Sequence, residues 1–344
     1  MKELLNLIQS TIFTKILTED SEDILNRYNE PWRFYHTEEH IIFLFKKLET
    51  VGLVGKDYVK MLLLILFHDI IYYPWKDDNE LQSAEYFKKL SKYIKPQYED
   101  IIDWVYDGIV ATKEHKLTSD PLLDLFMSWD MEIAMSDNPY DLMKWERQIV
   151  KEFSIAPTKL YKDGRIKFLQ SLNNPHTDQL VNYVKNEYRP KVGFYAGSFN
   201  PFHIGHLSIV QQAQKVYDKM VILIGQNADK PILTEEEIEK RKAQIFSHCP
   251  GIEVKYFKGF ITDVLTERSK DEEVFLIRGI RNTMDWMSES NYLQYCRKMM
   301  PSIQVQYFTC PKDIEHVSSS GIRSMEKELK GSSSDYIPEI IYKF

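Results

Sequence analysis

Cysteine is scarce in this sequence. Cys249, Cys296 and Cys310 are the only three, and none is paired at the close spacing of a zinc knuckle or a disulfide framework. A reducing, cytoplasmic setting is therefore expected. An excess of positive charge is lacking too. Lys and Arg number 44 against 51 Asp and Glu, a formal net charge of −7, which argues against a mainly nucleic-acid-binding surface and leaves anionic small molecules to local arginines and lysines. Met61 to Tyr73 is strongly apolar yet too short to cross a bilayer, and it carries His68-Asp69, so it reads as a buried helix. Met1 to Thr14 has an apolar helical pattern without the basic region, long apolar core and small-residue cleavage site of a secretory signal. Neither a nucleic-acid nor a membrane partner is expected, and homo-oligomerisation is left open.

What is present is an ordinary globular composition, 43% hydrophobic and 28% charged over 344 residues, enough for two domains with separate cores. The two halves follow different patterns. From Leu4 to about Tyr188 helical periodicity dominates, at Ile41 to Leu48, Val59 to His68, Ala84 to Tyr93, Ile101 to Ala111, Leu122 to Met127, Tyr140 to Phe153 and Leu180 to Val184. From Lys191 onward, β-rich runs at Val192 to Tyr195, Met220 to Ile224, Glu253 to Phe257, Val274 to Ile277 and Gln304 to Phe308 alternate with amphipathic helices, which predicts a parallel α/β sheet. With the boundary at Arg189-Pro190, where proline discourages helix continuation, an all-α domain spans residues 1–188 and an α/β domain residues 189–344.

The most informative stretch runs from Gly193 to His206, a short apolar strand, a loop forced by Gly197 and Pro201, and a helix start carrying His203 and His206. Backbone amides of such a loop approach phosphate closely, and the helix aims its positive end and free N–H groups at the same place. Further on, Arg278-Gly-Ile-Arg281 follows an apolar strand, Asp285 and Glu289 come at helical spacing, and Val317-Ser-Ser-Ser-Gly-Ile-Arg323 offers hydroxyls and amides near a helix start. Each feature has a plain structural alternative: arginines paired to Asp285 and Glu289, and serines that cap a helix.

Taken together and in this order, Gly197 to His206, Lys230-Pro231, Arg278 to Glu289 and Val317 to Ser320 resemble the phosphopantetheine adenylyltransferase family over essentially Lys191 to Pro338. The resemblance implies a Rossmann-like nucleotidyltransferase domain that moves AMP from ATP to 4'-phosphopantetheine with Mg²⁺. It implies His206, Lys230 and Arg281 as catalytic residues, and Ser198, Ile261 and Arg278 as acceptor-binding residues, with Phe260 beside Ile261 in the pantetheine channel. ATP would be met by Ser198, Phe199, His203, His206, Gly279, Arg281, Glu289, Val317, Ser318, Ser319 and Ser320. The chemistry is consistent with these residue types: a phosphate monoester is largely dianionic at neutral pH and needs no side-chain base, so the demand is for positioning and charge neutralisation. Two positions depart from the family pattern. Asp229 stands where the family usually has a second lysine, and His203 where it usually has threonine. They keep a nicotinamide-mononucleotide acceptor and a nucleotide-sensing protein as alternatives. The string His203-Ile-Gly-His206 also occurs in class I aminoacyl-tRNA synthetases, but Arg297-Lys-Met-Met-Pro301 is a poor match to their second motif, and the serine segment lacks the cytidylyltransferase signature.

In the N-terminal half, Tyr35-His-Thr-Glu-Glu-His40, His68-Asp69 and Asp130 supply mixed nitrogen and oxygen ligands suited to a divalent transition metal. Together with His68 to Pro74, Asp78 to Ala84 and Ala111 to His115, they resemble the HD phosphohydrolase superfamily. That resemblance implies His40, His68, Asp69 and Asp130 as ligands to Mn²⁺, Fe²⁺ or Zn²⁺, with His36 and His115 for a second ion or a phosphate and Lys113 offsetting substrate charge. It leaves the substrate open. Asp78 and Glu80 are candidates for proton handling, with helix capping the plainer role.

Overall fold

The computed structural model describes residues 2–14, 18–172, 174–226, 232–328 and 333–342. The chain divides into two compact units, Met1–Phe153 with Arg165–Val184, and Ser154–Gly164 with Lys185–Phe344. No helix among the described residues is long and apolar enough to cross a membrane.

The first unit is helical: α1 (Lys2–Thr11), α2 (Thr18–Arg27), α3 (Glu38–Thr50), α4 (Gly55–Phe67), α5 (Asn79–Ser91), α6 (Ile102–Ala111), α7 (Pro121–Asp130) and α8 (Pro139–Glu152), with α10 (Asp178–Asn182) and the part of α9 (Thr158–Ser171) from Arg165 onward. α4 is its axis. Met61 to Phe67 are all buried, and a helix that is apolar on every side is stable only when surrounded by others. Helix starts fall where the chain supplies a cap: Thr37 accepts from Glu39 N, and Asp120 from Leu122 N and Leu123 N with Pro121 at the first turn. The periodicity at Ile101 to Ala111 holds as α6, although a 3₁₀ turn (Pro96–Ile101) leads into it. At Leu180 to Val184 the α-helix ends at Asn182 and a wider π-helical turn follows (Tyr183–Glu187).

The second unit is a five-stranded sheet, β1 (Lys191–Gly197), β2 (Lys219–Gly225), β3 (Glu253–Phe257), β4 (Glu273–Ile280) and β5 (Gln304–Thr309), in the order β3-β2-β1-β4-β5. Every pairing is parallel; Tyr195 lies level with Ile222 on one side and Ile277 on the other. The crossovers are α11 (Ile204–Ala213), α12 (Glu235–His248), α13 (Ile261–Arg268) and α14 (Thr283–Met299), and α15 (Ser319–Glu328) follows β5. β2 is buried along nearly its whole length, as a strand covered on both faces must be. A side chain at Gly193 would bring its Cβ within 2.7 Å of Met220 Sδ and 2.9 Å of Tyr217, so glycine is what lets β1 sit against them. The strand order reverses between β1 and β4, and in open parallel sheets the crevice beyond the strand ends at such a reversal is the ligand site.

Residues 154–164 group with the sheet. Lys219, first in β2, donates to Ala156 O at 2.6 Å and pairs with Glu253 at 2.8 Å, while Thr158 donates to Glu272 at 2.5 Å. Arg268 bridges Glu253 and Glu272. These are buried, mutually satisfied charges, which hold only as a complete network.

Candidate active site and metal centre

At the C-terminal ends of β1 and β4 lies a cavity of about 430 Å³. Its polar lining includes Ser198, His203, His206, Arg281, the Ser318–Ser320 run and Arg323. The loop from Gly197 to His203 is built by packing. Phe199 takes a left-handed φ of 47°, is 1% exposed, and sits under Gly197, where an added Cβ would come 2.9 Å from its ring. The next turn is a histidine capping box. Gly205 N donates to His203 Nδ1 at 3.1 Å, and His203 N donates to His206 Nδ1 at 3.3 Å. Each ring accepts through Nδ1, so each carries its proton on Nε2. The rings stack with centroids 3.6 Å apart. Burial lowers both pKa values, His203 to about 4 with Arg281 adding to the effect, and His206 well below its ordinary value with His203 and Arg281 adding. Both are neutral donors at physiological pH.

The arginines hold carboxylates. Arg278 Nε donates to Glu289 at 2.6 Å, its Nη2 donates to the second oxygen of that carboxylate, and Nη1 donates to Ala196 O at 3.2 Å. Arg281 makes the same fork with Asp285, at 2.8 and 3.0 Å. Ser318 caps α15 by accepting from Gly321 N at 3.1 Å, and Ser319 donates to Pro201 O at 3.0 Å. The structural alternatives for both motifs are thus realised here, beside a polar cavity.

Of the residues expected to meet ATP or the acceptor, Ser198, His203, His206, Gly279, Arg281, Glu289, Val317 and Ser318–Ser320 line this cavity. Arg278, Phe199 and Ile261 do not. Arg278 is turned to Glu289, Phe199 supports the loop, and Ile261 is 3% exposed in the apolar layer with Val192, Phe194 and Leu276, while Phe260 beside it is exposed. Lys230 and its neighbour Asp229 lie outside the described residues. Sequence reasoning gave no role to Tyr195, Cys310 or Arg323, all in the lining. Arg323, which donates to Asn200 O, could have been found as the last residue of the serine motif.

In the helical unit, His40, His68 and Asp130 bring one ligand atom each within 4.8 Å of one another. His40 Nε2 is 2.9 Å from Asp130 Oδ1, and His115 Nε2 is 3.3 Å from Oδ2. Asp69 Oδ2 lies 3.0 Å from His68 Nε2. His68 Nδ1 donates to Ile65 O at 3.1 Å, which turns Nε2 toward Asp69 and Asp130. That Nε2 is buried and faces the carboxylates of Asp69, at 3.0 Å, and Asp130, at 3.7 Å, as an ion pair rather than in a well-aligned hydrogen bond. Burial works against charge on His68, yet Asp69 and Asp130 outweigh it and raise its pKa to about 9. His40, His68 and Asp130 form a mixed nitrogen and oxygen donor set of the kind that could hold a divalent transition metal.

His36 stands apart from the triple, held by a carboxylate that sequence reasoning missed. Glu152, at the end of α8, accepts from the backbone N–H of Phe34, Tyr35 and His36 at 2.7–3.0 Å through one oxygen. Through the other it accepts from His36 Nδ1 and the Tyr72 hydroxyl, both at 2.7 Å. Burial would raise its pKa, but His36 and these donors bring it down to about 2. Arg33 completes the frame, donating to the carbonyls of His36, Asp69 and Ile70. Lys113 donates to Asp77 O, and Asp78 accepts from Gln82 at 2.7 Å.

The cytidylyltransferase-like family matches residues 194–325. A phosphopantetheine adenylyltransferase of Alkaliphilus metalliredigens is 31% identical over 152 residues, 44% of this chain and 94% of that protein. One from Cytophaga hutchinsonii is 32% identical over 149 residues, 43% of this chain and 97% of that protein. A bifunctional NMN adenylyltransferase/ADP ribose pyrophosphatase from Francisella tularensis superposes with a TM-score of 0.30 and 19% identity, over 39% of this chain and 41% of its own. Through its C-terminal half, which spans nearly the whole length of those two adenylyltransferases, the chain belongs to the phosphopantetheine adenylyltransferase family.

Proposed function

We propose that the C-terminal half transfers AMP from ATP to 4'-phosphopantetheine, giving dephospho-coenzyme A and pyrophosphate. The observation that carries this reading is His206: neutral, protonated on Nε2, at the N-terminus of α11 and in one cavity with Arg281, Arg323 and the serine run. The acceptor phosphate attacks the α-phosphorus, and the P–O bond to pyrophosphate breaks. No base is needed, because the monoester is already anionic. His206 Nε2–H and the free amides of α11 meet the charge that develops on the transferring phosphoryl. Arg278 exchanges Glu289 for the acceptor phosphate, while Arg281 and Ser318–Ser320 hold the nucleotide. Asp285 and Glu289 are engaged by arginines, so Mg²⁺ would be carried on the ATP phosphates through water, where it would add charge neutralisation. Incubating the chain with ATP, Mg²⁺ and either phosphopantetheine or nicotinamide mononucleotide, then weighing the products, tests this. A dinucleotide product from the second acceptor alone would shift the reading, and no product from either would leave a nucleotide sensor.

For the N-terminal half we infer a metal-dependent phosphohydrolase. The supporting observation is the convergence of His40, His68 and Asp130, one ligand atom from each lying within 4.8 Å of the others. His40, His68, Asp69 and Asp130 would hold the ion, and when bound it would supply an acidified water. His36, fixed by Glu152, and His115 are left to meet a phosphate or a second ion. Metal recovery after dialysis against Mn²⁺, with release of phosphate from a simple aryl phosphate, tests the assignment.

A further inference from the structure

Along β1, side chains alternate between the two faces of the sheet. Phe194 joins the apolar layer with Val221 and Leu276, and Tyr195 packs on the other face with Phe199, Phe202 and Ile209. A phenylalanine would fill the place of Tyr195 equally well, so its hydroxyl needs a separate reason. Tyr195 is 7% exposed, and among the described residues no group hydrogen-bonds its hydroxyl. A buried phenol ordinarily has a partner, because leaving it unmet costs the desolvation of a polar group.

The cavity at the sheet is where a partner can sit. Tyr195 lines it together with His206, Gly279 and Arg281. Gly279 leaves the hydroxyl uncovered: a Cβ there would come 3.4 Å from the Tyr195 oxygen and 3.1 Å from Ile209. The Tyr195 ring meets that of His206 edge-on, with centroids 6.2 Å apart. The charges that act on the phenol are those of Arg278, Arg281 and Glu289. Burial outweighs the two arginines and pushes its pKa above the ordinary value, so it stays a neutral donor.

In the transferase reading, on which this inference rests, Arg278 holds the acceptor phosphate and Arg281 the nucleotide. A donor that feels both arginines, with its ring against His206, stands where the group in transit passes from one to the other. We propose that Tyr195 is a further catalytic residue of adenylyl transfer, its hydroxyl donating a hydrogen bond to a non-bridging oxygen of the α-phosphate beside His206. The acceptor oxygen bonds to the α-phosphorus, the P–O bond to pyrophosphate breaks, and the phenolic proton stays on Tyr195 throughout. Two neutral donors, one from α11 and one from β1, then meet the charge that develops on one phosphoryl group.

Tyr195→Phe removes the oxygen and keeps the ring. In the full chain with ATP, Mg²⁺ and phosphopantetheine, kcat should fall about 10- to 100-fold, the scale for one hydrogen bond to a charged group. Both KM values should change little, as for an interaction made in the transition state, and the melting temperature should not fall. The two diastereomers of adenosine 5'-O-(1-thiotriphosphate) give a readout that packing would not move. Sulfur accepts hydrogen bonds poorly, so the diastereomer with sulfur in place of the oxygen facing Tyr195 should lose part of its rate defect in the variant, and the other should not. With a parent chain that turns over, unchanged kcat in the variant overturns the proposal alone. So do identical sulfur effects in parent and variant, or a rise confined to the KM for ATP, which would put the hydroxyl on another part of the nucleotide. A parent chain that adenylylates neither phosphopantetheine nor nicotinamide mononucleotide overturns the transferase reading, and this role with it.

Discussion

Arg278 and Glu289 form a two-pronged ion pair at the end of β4, with Arg278 also donating to the Ala196 carbonyl of β1. The arginine is thereby held across two adjacent strands, and the carboxylate that holds it lines the cavity. An anionic ligand at Arg278 would have to displace Glu289 from the guanidinium.

Arg278→Ala should raise the KM for phosphopantetheine by about 10- to 100-fold, the range for a lost charge-assisted hydrogen bond, and leave the KM for ATP nearly unchanged. Arg281→Ala should do the reverse. Steady-state kinetics with each substrate varied in turn separates the two; a fall in melting temperature with unaltered constants in both variants would reduce the arginines to a structural network.

His206→Ala should lower kcat for adenylyl transfer by about a hundredfold, the scale for one preorganised donor, with the fold intact by circular dichroism. Because the pKa of His206 lies well below its ordinary value, the donor form persists across neutrality. The kcat profile of the parent should therefore show no inflection from this group between about pH 6 and 8.

Acid should destabilise the sheet unit through His203. Its folded pKa of about 4 lies below the unfolded value of about 6.5, so the unfolded chain takes up the proton first. Stability present above the unfolded value is lost as pH falls toward 4, on the order of 2 kcal/mol after allowance for partial screening. His203→Thr should flatten the denaturant-midpoint curve over that window; an unchanged curve would show that the ring is not kept neutral.

Glu152→Ala should destabilise the helical unit by at least about 3 kcal/mol, since three backbone N–H groups, His36 and Tyr72 all lose their acceptor. In the parent, Glu152 has a folded pKa of about 2, below that of an exposed glutamate. Its contribution is full above the unfolded value of about 4.3 and is lost as pH falls through that value toward 2. Urea unfolding at stepped pH would read both effects.

His68→Ala combined with Asp69→Ala should abolish metal recovery and any phosphohydrolase activity while adenylyl transfer persists, because the two sites lie in separately cored units. Elemental analysis after dialysis against a chelator checks the first part. Full occupancy in that variant would remove both residues from the ligand set.

The alternation of helical and β-rich periods fixes the architecture from the sequence, because burial of one helix face or of a whole parallel strand leaves a repeating pattern in the residues themselves: Met61 to Phe67 for the buried helix α4, Met220 to Ile224 for the inner strand β2. The loop from Gly197 to His206 was legible for a related reason, since its glycine, proline and capping histidines act on backbone within a few residues. Partners far apart in the chain leave no such trace. Glu152 meets His36 across 116 residues, and Arg33 ties its own turn to the Asp69 carbonyl 36 residues away. Ile261 shows the same limit in reverse: position in a motif pointed to a ligand channel, and packing against Val192 and Leu276 put it in the core. Whether Arg278 faces a ligand or Glu289, and that residues 154–164 complete the sheet unit rather than the helical one, were decided only by tertiary structure, where buried charges must find partners wherever the chain brings them.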